Sequence, residues 1–300
     1  MRSAWLVSLV LLEASCRSDP DPKTLLDREC QAGSGKACNT LGGVYLRGEG
    51  VTKDEAKATL FFGESCDLGE AAGCTDLGLM YAEGTAVNKD EPRAASLYER
   101  GCNGGQFVGC SNLGLMYLKG RGVARDEGKA VALFGKACEG GTALGCYNLG
   151  VLYQQGTVVG EDESKAFSLY TRACDGAEFR ACTNLGLMYA NGVIVGSDET
   201  KALSLYRLAC DRGDPRGCSN VGAAYAQGMV VGKDEGIAAG FYARACEAKD
   251  ARGCANLGGA YEKGAGVGKD VTRALELYKQ ACSAGDQLGC ERLKHLGTPL

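Results

Sequence analysis

Cys110-Ser111-Asn112-Leu113-Gly114-Leu115-Met116-Tyr117-Leu118-Lys119-Gly120 is the stretch on which the reading of this chain turns, because it returns at a fixed interval of 36 residues (Cys110, Cys146, Cys182). Take its first residue as c. Leucine stands at c+3 in six copies (Leu41, Leu77, Leu113, Leu149, Leu185, Leu257), with Val221 in the other, and glycine follows at c+4 in every one. Tyrosine stands at c+7: Tyr45, Tyr81, Tyr117, Tyr153, Tyr189, Tyr225 and Tyr261. Positions c, c+3, c+4 and c+7 share one stripe at helical spacing, which predicts a short helix with one apolar face. Glycine inside that stripe costs helix propensity, so another backbone is expected to approach closely there.

Outward from this helix, glycine at c+10 (Gly48, Gly84, Gly120, Gly156, Gly192, Gly228, Gly264) predicts a left-handed C-cap. Valine at c+13, from Val51 to Val267, reads as a plug tying the loop to the core. Aspartate at c+16 (Asp54, Asp90, Asp126, Asp162, Asp198, Asp234, Asp270) is followed by glutamate in six of seven copies, an N-cap with an acidic first turn. A second helix then carries alanine at c+20 and an aromatic ring at c+24, and ends at the next cysteine, c+28. Each unit is therefore a helical hairpin. Hairpins at this period predict an all-α fold, an α/α solenoid.

Sixteen of the 17 cysteines fall in pairs eight apart: Cys30 and Cys38, Cys66 and Cys74, Cys102 and Cys110, Cys138 and Cys146, Cys174 and Cys182, Cys210 and Cys218, Cys246 and Cys254, Cys282 and Cys290. The intervening residues cross a tight turn, often through glycine, so one cysteine ends a helix and its mate begins the antiparallel neighbour. A disulfide can span that distance. Zinc is the rival reading, but isolated pairs offer two ligands where a structural site needs four. In the chain-entropy account a loop this short contributes roughly 2.6 kcal/mol per bridge. Such bridges require an oxidising compartment.

The 300 residues are 45% apolar and 23% charged, with a net charge of −4. No basic excess points to nucleic acid, and no segment is long and apolar enough for a membrane span. A single histidine, His295, excludes multi-histidine metal sites. The 46 glycines sit at helix ends and packing positions rather than in a phosphate loop. No metal site, cofactor or nucleic-acid partner is expected, and the rod is expected to be a monomer.

Residues 1–15 read as a signal peptide: Met1-Arg2, an apolar run from Ala4 to Leu12, then small residues. Cys16, the one cysteine outside the pairing, is the candidate lipidation site of a bacterial lipoprotein, although Glu13 stands where leucine is usual. The alternative is cleavage nearby and a soluble secreted protein. A linker over 16–22, the solenoid over 23–296 and a tail over 297–300 complete the division.

The run C-x-N-L-G-x-x-Y-x-x-G, with the Asp-Glu start and A-x-x-x-[YF]-x-x-A-C ending of the second helix, resembles the Sel1-like repeat, a relative of the tetratricopeptide repeat. With a cysteine pair per unit it is similar to the Helicobacter cysteine-rich family of secreted bacterial proteins. The likeness covers Cys30 to Cys290 and lapses in the last unit, where Glu291-Arg292-Leu293-Lys294 suits a polar terminal cap. The resemblance implies an adaptor of the bacterial envelope or exterior whose concave surface holds peptides or proteins. It also implies, as an alternative, weak β-lactam binding and hydrolysis.

For that alternative the residues offer no catalytic set. No serine has lysine three residues on, and neither Ser-Asp-Asn nor Lys-Thr-Gly occurs. Binding leaves a clearer trace at c+2, where Asn112, Asn148, Asn184, Asn220 and Asn256 follow Thr40 and Asp76. At 100° per residue c+2 lies with the polar c+9 positions, opposite the apolar stripe. A ladder of amides can donate to and accept from an extended peptide backbone. The competing reading is that they solvate a surface or bridge adjacent units.

Overall fold

The repeat folds as one hairpin per copy. The computed structural model describes residues 22–156 and 158–296, so the leader, Cys16 and the tail over 297–300 lie outside the described residues. Among the described residues there are sixteen helices and no strand: α1 (Pro22–Gln31), α2 (Gly35–Arg47), α3 (Glu55–Asp67), α4 (Ala71–Glu83), α5 (Glu91–Asn103), α6 (Phe107–Lys119), α7 (Glu127–Glu139), α8 (Ala143–Gln155), α9 (Glu163–Asp175), α10 (Phe179–Asn191), α11 (Glu199–Asp211), α12 (Pro215–Gln227), α13 (Glu235–Glu247), α14 (Ala251–Lys263), α15 (Val271–Ser283) and α16 (Gln287–His295). Even-numbered helices carry the second cysteine of each pair in their first turn, and odd-numbered helices from α3 onward carry the c+20 alanine and c+24 ring.

Both helix boundaries follow from single residues. The c+10 glycine stands in the left-handed region in all seven copies, for example φ 65° at Gly120 and 77° at Gly84. The c+16 aspartate accepts the backbone N–H three residues on in every copy, as Asp126 does from Lys129 at 2.9 Å. Its own N–H donates to the carbonyl of the c+7 tyrosine at 2.9 to 3.0 Å, from Asp54 to Tyr45 through to Asp270 to Tyr261. The loop is thereby closed on itself. Its valine plug packs against the core in six units; in the fifth, Val195 is 39% exposed and Val193 packs there instead.

Within a hairpin the c+4 glycine makes room for a ring. A Cβ on Gly42 would lie 2.6 Å from the Phe62 ring, on Gly114 2.7 Å from Phe134, and on Gly186 2.6 Å from Tyr206, with the c+20 carbonyl behind at 3.2 Å for Gly42 and Gly186. The sequence points to a close backbone there, but the ring arrives first. Backbone itself comes close at c−1, where a Cβ on Gly73, Gly145 or Gly217 would come within 2.9, 2.9 and 2.8 Å of the amide nitrogen of the preceding cysteine.

That crossing is where the eight disulfides sit, each joining the last turn of an odd helix to the first turn of the next, with Cα atoms 4.4 to 4.8 Å apart. The bonded partners are those expected from the spacing: Cys30 with Cys38, Cys66 with Cys74, Cys102 with Cys110, Cys138 with Cys146, Cys174 with Cys182, Cys210 with Cys218, Cys246 with Cys254 and Cys282 with Cys290. In the first-turn position Cys74, Cys218 and Cys254 are 3, 5 and 1% exposed, so these sulfurs are sealed in the core as well as bonded. The turn between partners needs a left-handed residue. Glycine supplies it at Gly33, Gly69, Gly105, Gly141, Gly213 and Gly285, while Ala177 (φ 66°) and Lys249 (φ 64°) adopt the same conformation with a side chain.

Each even helix packs on its own odd partner and on the odd helix before it, and also touches the next even helix, as α10 does α12 and α12 does α14. No two odd helices make a comparable contact among the described residues. The stack is therefore drawn together on the even side, which forms its inner face.

Candidate binding face

Having neighbours on three sides, an even helix is buried over more than the stripe predicted from sequence. Positions c+1 and c+6 go under as well: Thr75, Ser111, Thr183 and Ser219 at c+1, and Met80, Met116, Leu152 and Met188 at c+6, are all buried. The c+1 side chains stitch one unit to the next. Thr183 Oγ1 donates to Asp214 Oδ2 at 2.6 Å and Ser219 donates to Asp250, and both aspartates are N-caps of the following even helix.

The asparagine ladder lies beside this seam and not on an open surface. Asn184 is 9% exposed and accepts from Arg216 Nη1 at 3.4 Å. Asn112, Asn148, Asn220 and Asn256 are half-buried. The Tyr170 hydroxyl donates to Gln154 Oε1 at 2.7 Å, and the amides of Asn112 and Asn184 stand beside the Tyr98 and Tyr170 hydroxyls of the preceding unit. Burial, opposed by those amides, pushes both tyrosine hydroxyls up to about 12. The position equivalent to these tyrosines ahead of Asn148 is Phe134, which has no hydroxyl, and Asn148 Nδ2 is buried without a partner.

Clefts open along the face between successive even helices. One, between α4 and α6, is lined by Leu79 and Glu83 on one side and by Asn112 and Lys119 on the other. Its equivalent between α10 and α12 has Leu187 and Asn191 opposite Asn220 and Gln227. A third, about 350 Å³, runs from α12 and α13 across α14 to α16, with Glu235, Asn256, Lys263 and Arg292 in its wall. Three of the five ladder asparagines thus border open space, while Asn148 and Asn184 are built into seams.

Two further positions belong to this face. In steps of 100°, c−2 and c+5 fall within 60° of c+2 and c+9. At c−2 stand Val108 and Leu144, then Arg180, Arg216 and Arg252; at c+5 stand Leu79, Leu115, Val151 and Leu187. Leu79, Val108 and Leu187 are 39, 44 and 40% exposed. The face is thus more apolar over α4 to α10 and more cationic over α10 to α14. These positions vary from unit to unit, so a search for repeated residues passes over them; their angular register was the available signal.

The c+7 tyrosines are at the rim, half-buried except for the buried Tyr45, and several are covered by a cation from the next helix: Arg93 over Tyr81 at 4.3 Å, Lys129 over Tyr117 at 5.0 Å, Lys165 over Tyr153 at 4.9 Å. The c+16 aspartates are occupied as caps. Among the described residues the one group with the spacing of a metal site is Cys30, Cys38 and Glu64. Its two sulfurs are joined to each other, which leaves no thiolate to ligate.

Parallel helical hairpins joined end to end around a shared inner face define an α-solenoid. The Sel1 repeat model matches residues 35–70, 71–106, 108–142, 143–177, 179–214, 215–250 and 251–286, and the chain belongs to that family. Among solved structures it is similar to a protective antigen of uropathogenic Escherichia coli with an SLR fold, at 26% identity and a TM-score of 0.72, over 92% of this chain and 60% of that one. The chain therefore spans less than two thirds of that antigen. A Sel1 repeat protein from Oxalobacter formigenes matches at 26% identity and a TM-score of 0.67, over 91% of this chain and 79% of its own. Cysteine rich protein B of Helicobacter pylori matches at 30% identity over 46% of this chain and 99% of its own, with a TM-score of 0.37. No curated protein matches significantly.

Proposed function

We propose that this protein is an exported Sel1-repeat scaffold that holds a protein or peptide partner along its even-helix face. The observation that carries the reading is the repetition of one cleft, in which the c+2 amide of one helix faces the c+5 and c+9 side chains of the helix before it, between α4 and α6 and again between α10 and α12. An amide in such a wall can donate to and accept from a peptide main chain, and the adjoining apolar c+5 residues give side chains a place to rest.

Export is supported by the chemistry of the staples, because eight disulfides form and persist only in an oxidising compartment. On this reading residues 1–15 direct the chain out of the cytosol and Cys16 is its lipid anchor. The hydrolase alternative is not carried forward: the paired cysteines are oxidised, and no serine has lysine three residues on.

The test is selection of random extended peptides on the oxidised protein, followed by binding to a variant with Asn112→Ala, Asn220→Ala and Asn256→Ala, the three ladder residues that line clefts. Selected peptides should lose at least about tenfold in affinity, the effect of one or two lost hydrogen bonds, with the thermal transition little changed. Peptides that bind both proteins equally well would place recognition elsewhere.

A further inference from the structure

The last cleft, which runs across α14 from α12 and α13 to α16, departs from the others in charge. In α16 the ladder position c+2 is occupied by Arg292 instead of an amide, and Lys263 stands at c+9 of α14 in the same wall as Asn256. Neither cation forms an ion pair among the described residues. The third cation of the cleft, Lys233, is neutralised by Glu235, with Nζ 2.7 Å from Oε1. Glu262, beside Lys263 in sequence, accepts the Tyr278 hydroxyl at 2.6 Å. Two cations without an ion-pair partner thus border one cavity, with the Glu262 carboxylate turned to the Tyr278 hydroxyl in its wall, in a chain whose net charge is −4. The α14 side of the wall is small, with Gly259 at c+5, where α4 to α10 carry leucine or valine, while Tyr242, Tyr278 and Leu288 complete it.

We propose that this cleft receives a carboxylate of the bound peptide. The inference rests on the reading of the even-helix face as a peptide groove and names the chemistry at one end of it. The Arg292 guanidinium is a planar fork suited to two-point contact with a carboxylate, and Lys263 supplies a mobile point charge. The Asn256 amide is at hand for the adjoining peptide group, and Gly259 lets that backbone lie close against α14. A carboxylate can come from the peptide's own C-terminus or from an aspartate or glutamate side chain, and both present the same two oxygens.

The experiment uses the full oxidised chain, immobilised, and three synthetic decapeptide pools. One is neutral with amidated C-termini, one neutral with free C-termini, and one amidated with a single glutamate at varied positions. Retention is read by mass spectrometry for the wild type, for Lys263→Gln/Arg292→Asn, which restores the amide ladder, and for Arg28→Gln/Lys136→Gln, exposed cations on odd helices away from the face, as a charge-matched control. The wild type and the control should enrich one or both carboxylate pools about tenfold over the amidated neutral pool, the scale of one charge-assisted bond. Lys263→Gln/Arg292→Asn should lose that enrichment and keep its hold on the neutral pool. The pool that is enriched identifies the source of the carboxylate. Equal retention of all three pools by the wild type, or an equal loss in the control, overturns the proposal and leaves the groove standing. If no pool is retained at all, the groove reading fails and takes this inference with it.

Discussion

Alanine in place of glycine should have opposite effects at two positions twenty-one residues apart, Gly114 in α6 and Gly135 in α7. Both lie within helices, where alanine is favoured over glycine by about 1 kcal/mol. At Gly135 a Cβ meets nothing within 4 Å, so Gly135→Ala should stabilise by roughly 0.5–1 kcal/mol. At Gly114 the added carbon would stand 2.7, 2.9 and 3.2 Å from Cε1, Cδ1 and Cζ of Phe134. Ordinary carbon contacts are about 3.5–4.0 Å, so the ring would have to retreat by about 1 Å. Phe134 is 0% exposed, with Leu149, Leu152 and Val159 in the same core cluster, and has little room to do so. Overpacking of this kind costs about 1–3 kcal/mol, which outweighs the propensity gain and leaves Gly114→Ala destabilising by about 1–2 kcal/mol. Urea unfolding of the oxidised protein, followed by helical circular dichroism, measures both. In a Phe134→Ala background the clash is gone, and Gly114→Ala should there become neutral or stabilising. If Gly114→Ala is as favourable as Gly135→Ala in the wild type, or equally harmful without the ring, the ring contact is not why glycine stands at c+4.

The hairpin turns make the reverse case: Ala177→Gly and Lys249→Gly should each stabilise by about 0.5 kcal/mol, the left-handed penalty of about 1–2 kcal/mol being partly offset by glycine's greater freedom when unfolded; a lower urea midpoint would refute this. The Lys165 backbone N–H, helped by its ammonium, holds the Asp162 carboxyl below the usual carboxylate range, and the Lys57 N–H does the same for Asp54. A depressed folded value contributes stability at pH above about 4 that is lost as pH falls through the folded value. Asp54→Asn/Asp162→Asn should therefore flatten the acid limb of a melting-temperature profile between about pH 5 and pH 2 while altering little at pH 7; an unchanged limb would count against it. Among the bridges, the one between Cys282 and Cys290 is half-buried while the other fourteen bonded cysteines are buried. Under graded reductant with alkylation and mass spectrometry, those two thiols should appear first, and earlier trapping of an interior pair such as Cys138 and Cys146 would contradict the ranking.

What the chain shows on its face is whatever the repeat must hold constant. The c+10 glycine, the c+16 aspartate and the cysteine pair each answer a local backbone demand, a left-handed cap, an unsatisfied helix start or a turn short enough to bridge, and local demands can be read from spacing. The c+4 glycine was legible as a close approach but not as the seat of a ring, because the ring sits twenty residues later on the other helix of the hairpin. The candidate site is harder still, since its residues are defined by their neighbours in the next unit. An amide at c+2 looks the same five times over in the sequence. What it does depends on its surroundings one unit back: Asn112 and Asn184 stand beside the hydroxyls of Tyr98 and Tyr170, whereas Asn148 follows Phe134 and has a buried Nδ2 without a partner. Asn220 and Asn256 follow tyrosines too, Tyr206 and Tyr242, and like Asn112 they border open clefts. The same logic applies to charge. Arg292 breaks the ladder in a unit whose lost glycine and tyrosine read simply as a terminal cap, and only the stacking of α16 on α14 brings it to the cleft that Lys263 also lines. In a solenoid the constant positions build the rod. Recognition falls to the variable ones, whose meaning is set one repeat away.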